Sequence, residues 1–162
     1  MSSYNSYSSE YDALFGGLLL TFIIVGIVLG ILGYIITAII FYNAAKTNGL
    51  AEIAFWSWIP IANAYVLFAL GSIKTSTDEI KKDALKFLLI YIALAIISII
   101  PFIGILASIA LMVISIYYIY RLFYRWIGDT GKSILFVFLT FITCSIFYYV
   151  YGLLRMKKPF VA

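Results

Sequence analysis

FLLIYIALAIISIIPFIGILASIALMVISIYYIY, residues 87–120, carries no charged side chain over its whole length. As one helix at about 1.5 Å per residue it would reach roughly 50 Å, well beyond the ~30 Å hydrocarbon core of a bilayer. Pro101 and Gly104 interrupt it, in a spacing that suits a tight turn. The run therefore reads as two helices, about 84–100 and 103–124, that meet at a tip near one membrane face. A single tilted, kinked helix is the alternative.

The rest of the chain belongs to the same class. Of its 162 residues, 65% are hydrophobic and 11% charged, with a mean hydropathy of +1.10. A soluble domain carries about 25% charged residues. So few charges cannot cover a water-facing surface, and lipid is the expected solvent. The expected fold is all-α, a polytopic transmembrane bundle of four or five apolar helices. One membrane domain covers 14–154, between a disordered tail at 1–13 and a basic tail at 155–162. The first tail is rich in Ser and Tyr and lacks the positive start of a secretory signal.

Residues 14–42 are nearly all apolar and long enough to cross a bilayer. Gly26, Gly30, Gly33 and Thr37 fall on one face of that helix. Small residues there let a second backbone approach closely. The face reads either as a dimer seam or as packing within the chain. A polar turn is expected at 43–50, around Asn48-Gly49.

The segment AEIAFWSWIPIANAYVLFALGS, 51–72, could span but for Pro60, which removes a helix hydrogen bond and disfavours α geometry at Ile59. One reading is a kinked span. The other is a short interfacial helix with Trp56 and Trp58, a break at Pro60, and a second helix from about Ile61. Tryptophan's preference for the headgroup level favours the second. Asn63, one turn past the proline, can bond carbonyls that the proline frees. Tyr65 suits an interface anchor or a bond between helices.

Charges cluster at 74–86, where Thr77, Asp78 and Glu79 suit a helix N-terminus. Residues 121–132 read as a polar loop, and 133–154 as the last span. Tyr148, Tyr149 and Tyr151 fit an aromatic belt. No internal repeat emerges, since LGILG at 29–33 and IGILA at 103–107 are too short to count.

Several chemistries are excluded by residue type. Histidine is absent and Cys144 is the one cysteine. That removes an intrachain disulfide, the usual zinc sites and the Cys–His and Ser–His–Asp nucleophiles. GDTGKS, 128–133, lacks the first glycine of a phosphate-binding loop, since Trp126 stands there. No catalytic, cofactor-binding or metal-binding residues, no cofactor, no nucleotide and no nucleic acid are therefore expected. The net charge of +4 reads as membrane topology, because Lys and Arg flank apolar runs.

The stretch AAKTNGLAEIAFWSWIPIANAYVLFALGS resembles a family of small, uncharacterised prokaryotic multi-pass membrane proteins, a domain of unknown function with a W-x-IP-x-x-N-x-Y pattern. Pro60, Asn63 and Tyr65 match it, with Trp56 or Trp58 as the tryptophan. IIPFIGIL and GDTGKS fill the family's later Ile-Pro…Gly segment and Gly-Lys loop, so the likeness covers roughly 43–154. Ala62, where an aromatic is common, and the charged linker at 74–86 depart from it. The resemblance implies a multi-pass prokaryotic cell-membrane protein, and the family carries no assigned biochemical activity to transfer.

The leading expectation is a non-enzymatic integral membrane protein that packs against membrane partners, as a scaffold, modulator or accessory subunit. Its partners would be the bilayer and a membrane protein or a second copy. A small passive transporter or channel is the alternative, as is an immunity protein against a membrane-active toxin. A transporter should show a polar path through the bundle, a scaffold a dry core. For orientation, the tail's lack of Lys and Arg points outward. If 51–72 is re-entrant and 87–120 a hairpin, Arg155, Lys157 and Lys158 then fall on the wrong side. If 51–72 spans, the better charge count comes with the tail inside.

Overall fold

The computed structural model describes residues 3–162, with side chains from residue 14 onward. Every regular element among them is helical. They are α1 Ser3–Thr47, α2 Ala51–Ala54, a 3-10 turn Phe55–Trp58, α3 Ala62–Leu70, α4 Thr77–Ile97, α5 Ile103–Ile127, α6 Thr130–Ile142 and α7 Ile146–Arg155. The chain divides into two compact units, 1–35 and 36–162. Two helical stretches are long and apolar enough to cross a membrane, Leu14–Thr47 and Ile103–Ile127.

The first unit is the N-terminal part of α1. Its side chains from Leu14 to Leu32 are exposed and almost all apolar. α1 begins at Ser3, inside the stretch read as a tail, while residues 1–2 lie outside the described residues.

The second unit is a series of helices that fold back on themselves. Residues 51–72 turn at Ile59–Ile61, because Pro60 cannot donate and holds Ile59 extended. α4 and α5 turn at 98–102. The third turn corrects the expected span at 133–154. That run breaks at Thr143–Ser145, and α7 returns along α6, so that Phe136 meets both Phe147 (4.8 Å between ring centroids) and Tyr151 (4.9 Å). Thr140 and Thr143 turn their hydroxyls onto the carbonyls of Phe136 and Leu139. The Ser145 amide reaches back five residues to the Thr140 carbonyl. This closes the end of α6 in a left-handed turn at Cys144 and Ser145.

The expected boundaries shift in three other places. α1 continues to Thr47, which shortens the turn at 43–50. α5 runs to Ile127, so most of the expected loop at 121–132 is helix. α6 starts at Thr130, where the Asp129 carboxylate accepts from the Lys132 amide at 2.7 Å. At α4 the cap position is Ser76, and no side chain caps the helix.

A repeat is also present, hidden by its shortness. Ser57-Trp58-Ile59-Pro60 and Ser98-Ile99-Ile100-Pro101 share the pattern S-x-I-P, and their backbones bond alike. The amide after each following residue closes on the proline carbonyl, Ala62 to Pro60 (2.9 Å) and Ile103 to Pro101 (2.8 Å). The next amide reaches the residue before the proline, Asn63 to Ile59 (2.9 Å) and Gly104 to Ile100 (2.7 Å). Between them Ile61 (φ 70°, ψ −51°) and Phe102 (φ 66°, ψ −58°) adopt the rare positive-φ γ-turn. Such a conformation costs about 1–3 kcal/mol per residue.

The core lies at the end of this unit away from the turns. Trp126, Phe123, Leu122, Phe68, Leu70, Ile40 and Leu50 are fully buried there. Phe68, Phe87 and Tyr118 pack with tilted or edge-on rings at 4.6–6.3 Å between centroids, and Phe123 packs against Phe136, Trp126 and Tyr148. Aromatic pairs of this kind contribute about 0.5–1.5 kcal/mol beyond their buried area.

Candidate membrane interface

All eleven Lys and Arg lie between 46 and 158, within the second unit. Contacts gather the helix ends that carry them. The Phe160 amide donates to Asn48 Oδ1 at 2.7 Å, and Thr47 Oγ1 to the Met156 carbonyl at 3.3 Å. Lys81 of α4 pairs with Glu52 of α2. Lys81 holds the Glu52 carboxyl below its usual range, and Glu52 raises Lys81.

Arginines fasten this end. Arg125 Nη1 donates to the Leu70 carbonyl at 3.1 Å, and Arg121 Nε to the Gly71 carbonyl at 3.2 Å. The last carbonyls of α3 have no partner in their own helix, and a guanidinium both bonds them and meets the negative end of the helix dipole. Arg155 Nη2 does the same for the Trp126 carbonyl at 2.6 Å. The Val161 amide bonds the Arg125 carbonyl, and the Phe160 ring lies 4.2 Å from the Arg125 guanidinium. Sequence reasoning takes Arg121 and Arg125 only as topology charges. Their spacing of four on an aromatic helix, RLFYRW, is the signal for a shared face.

The opposite end is made of the three turns, and its surface is apolar. Ile99 is 81% exposed, Phe102 87% and Ile61 67%. Polar side chains here turn inward. Asn63 Nδ2 donates to the Ser57 carbonyl at 2.7 Å, and Ser98 Oγ to the Ala95 carbonyl at 2.7 Å. Gly104 is required by close approach, since a Cβ there would lie 2.3 Å from the Ser98 carbonyl oxygen.

The other residues singled out by sequence fall as follows. Trp56 and Trp58 are exposed, and Tyr65 is half-buried beside Trp56 and Leu88. At Gly26 and Gly30 an added Cβ would meet nothing within 4 Å. Gly33 is buried and Thr37 half-buried. Of the three tyrosines read as a belt, Tyr148 is buried in the core, and Tyr151 stacks on Phe147 and meets Phe136 edge-on.

The buried polar side chains among the described residues are Ser57, Ser72, Ser133 and Thr140. The hydroxyls of Ser133 and Thr140 bond carbonyls of their own segment. An apolar groove of about 470 Å³ between α5 and α6 is lined by Val113, Tyr117, Ile134, Phe138 and their neighbours. Its walls offer almost no hydrogen-bonding group.

Compared with known proteins, the chain matches no family model, no curated protein and no solved structure.

Proposed function

We propose that this is a non-enzymatic integral membrane protein that acts by packing against partners in the bilayer, as a scaffold, modulator or accessory subunit. The observation that carries this reading is the dry core. Fully buried Trp126, Phe123, Phe68 and Leu70 close the centre of the second unit. Of its buried hydroxyls, those of Ser133 and Thr140 bond carbonyls of their own segment and those of Ser57 and Tyr148 are enclosed without a partner, and together they form no file that a solute could follow. A passive pore needs such a file, so the channel reading has less support.

The number of crossings is part of the proposal. α6 and α7, with 13 and 10 residues, reach about 20 and 15 Å and cannot each cross a ~30 Å core. In place of four or five spans, the lengths favour α1 as a crossing helix followed by three folded-back pairs. The likeness to multi-pass prokaryotic proteins with the W-x-IP-x-x-N-x-Y pattern fits this membrane setting. The face of Gly26 and Gly30 is open to a helix from a partner or a second copy, as small residues in lipid allow.

Two measurements test the reading. Vesicles reconstituted with the protein should leak ions and small polar solutes no faster than empty vesicles; a saturable flux would overturn the dry-core reading. A photoreactive residue at position 30 should crosslink to another membrane protein or to a second copy in native membranes. Crosslinks to lipid alone would remove the packing role.

A further inference from the structure

We infer that residues 36–162 form a one-sided wedge: the helix pairs enter an anionic leaflet from their cationic end, their turns stop within the hydrocarbon, and their bulk expands the leaflet they enter. This rests on the reading of the chain as an integral membrane protein and goes beyond it in depth, lipid class and mechanical effect.

Four independent observations converge on it. The first is charge. The helix ends tied together by Asn48–Phe160, Glu52–Lys81, Arg125–Leu70 and Arg155–Trp126 bring the Lys and Arg side of every helix pair to one end. Because α7 folds back along α6, Arg155, Lys157 and Lys158 join the other cations. The conflict that a spanning last segment creates for the positive-inside rule disappears. The cations outnumber Glu52, Asp78, Glu79, Asp83 and Asp129 at the same end, which suits anionic headgroups.

The second observation is the surface of the turns. Ile61 points outward at the shallower first turn, beside the exposed Trp56 and Trp58, and Ile99 and Phe102 point outward at the deepest turn, with no Lys, Arg, Trp or Tyr at residues 99–105 to anchor it in a far headgroup layer. A turn emerging into water would carry polar side chains; this one presents its largest apolar ones.

The third is the backbone. Irregular chain inside hydrocarbon must satisfy its own amides. At the second turn the amides of 98, 99, 100, 103, 104 and 105 donate to nearby carbonyls and residue 101, a proline, has no amide hydrogen, so that the Phe102 amide alone is left without an acceptor. The first turn repeats the scheme at 59, 62, 63 and 64, with the Ile61 amide the one left over, and the third closes the amides of 143, 144, 145 and 146. The γ-turn closes an amide within three residues, which gives the strained Ile61 and Phe102 a purpose in a solvent without donors or acceptors.

The fourth is length. From the charged end α3 reaches about 14 Å, α6 about 20 Å, and α5 from Arg121 to the turn about 28 Å. The helical pairs therefore end at different depths, all within a ~30 Å core. Near the charged end the residues of α2 through α7 all contribute cross-section. Deeper, past the ends of α3 and of the α6–α7 pair, α4 and α5 continue without them. The leaflet at the charged end is thus displaced more than the opposite one, and a bilayer relieves such an imbalance by bending convex towards the charged end.

Cys144 at the third turn is a ready probe in the natural chain. The full-length protein is reconstituted in sealed phosphatidylethanolamine–phosphatidylglycerol vesicles, with both orientations recovered, and treated with an impermeant maleimide. Cys144 should stay unlabelled in either orientation and label fully after denaturation in detergent. Phe102→Cys in a Cys144→Ser chain should behave the same way. Labelling of position 102 from the side opposite the Lys and Arg would overturn the buried turn. When the protein is inserted from outside into preformed phosphatidylethanolamine–phosphatidylglycerol vesicles, so that every charged end faces outward, the mean vesicle diameter should fall with rising protein content; an unchanged diameter would overturn the wedge. Equal binding and equal shrinkage with purely zwitterionic lipid would overturn the anionic preference. Release of the protein from native membranes by alkaline carbonate would instead defeat the membrane reading itself, so the two failures are distinct.

Discussion

Gly104 is where a single methyl group should matter most. Its missing Cβ faces the Ser98 carbonyl at 2.3 Å, and the neighbour is backbone that cannot swing aside. Gly104→Ala should therefore lower stability by about 1–3 kcal/mol, the usual cost of overpacking, read as a drop in the thermal midpoint in detergent. Gly26→Ala, with nothing within 4 Å, is the control and should leave the midpoint unchanged. At Gly152 the clashing atom is the tip of the Ile40 side chain, 2.7 Å away, which can rotate, so Gly152→Ala should fall between the two.

Asn63 is the polar counterpart. Its amide holds the Ser57 carbonyl, a group that would otherwise lie unbonded in an apolar setting. Asn63→Leu should cost about 1–2 kcal/mol, and Asn63→Gln should not restore it, because the longer side chain cannot reach with the same geometry. A full-stability Leu variant would show that the carbonyl finds another donor. The Glu52–Lys81 pair is exposed and weak, but its pH sense is fixed. Glu52 titrates below its usual value, so the tie is present at neutral pH and lost as pH falls through that lowered value; Lys81 sits above its own, so the tie also goes as pH rises through that raised value. Glu52→Gln should flatten the acid limb of the midpoint against pH; an unaltered limb would show that other carboxylates set it.

Among the elements, α3 depends most on its neighbours. It has nine residues, short of the length at which an isolated helix holds in water, and its last carbonyls rest on Arg121 and Arg125. Arg125→Gln should cost about 1.5–3 kcal/mol, the range for a hydrogen bond to a charged group, and hydrogen exchange should rise first at Gly71 and Ser72. Exchange that rises evenly over the whole chain would argue against a local cap. Elements also show what the sequence can and cannot display. Pro60 and Pro101 mark turns by covalent geometry alone, which a single chain carries in plain view. The break at Thr143–Ser145 has no proline or glycine. Threonine hydroxyls bonded to their own helix are common in unbroken apolar helices too, so the return of α7 rests on the edge-to-face packing of Phe136 with Phe147 and Tyr151, which is a tertiary fact. The arginines were readable as positive and not as caps, because the carbonyls they bind lie some fifty residues away. The S-x-I-P repeat escapes notice because what recurs is a hydrogen-bond pattern, carried by few identical side chains.

The second unit as a whole is held at its charged end by the chain's last residues. Phe160 and Val161 join Asn48, Arg125 and Trp126 through two amide bonds, a cation–π contact and ring packing. Removing residues 156–162 should cost about 2–4 kcal/mol in total while leaving the helical content nearly intact, a combination read by circular dichroism and thermal melting together. Collapse of the helical signal would mean that the pairs cannot stand without their tie. That tie also imposes an order in time. The turn at Asn48 is synthesised more than a hundred residues before its partner amide at Phe160, so through most of translation the closing contact of the early helices is still unmade. Each folded-back pair can form as it leaves the ribosome, but the clasp waits for residues 160 and 161. A released chain in which residues 160 and 161 have not yet docked would hold its folded-back helices with its cationic end ajar, which is the form that quality-control proteases would meet first.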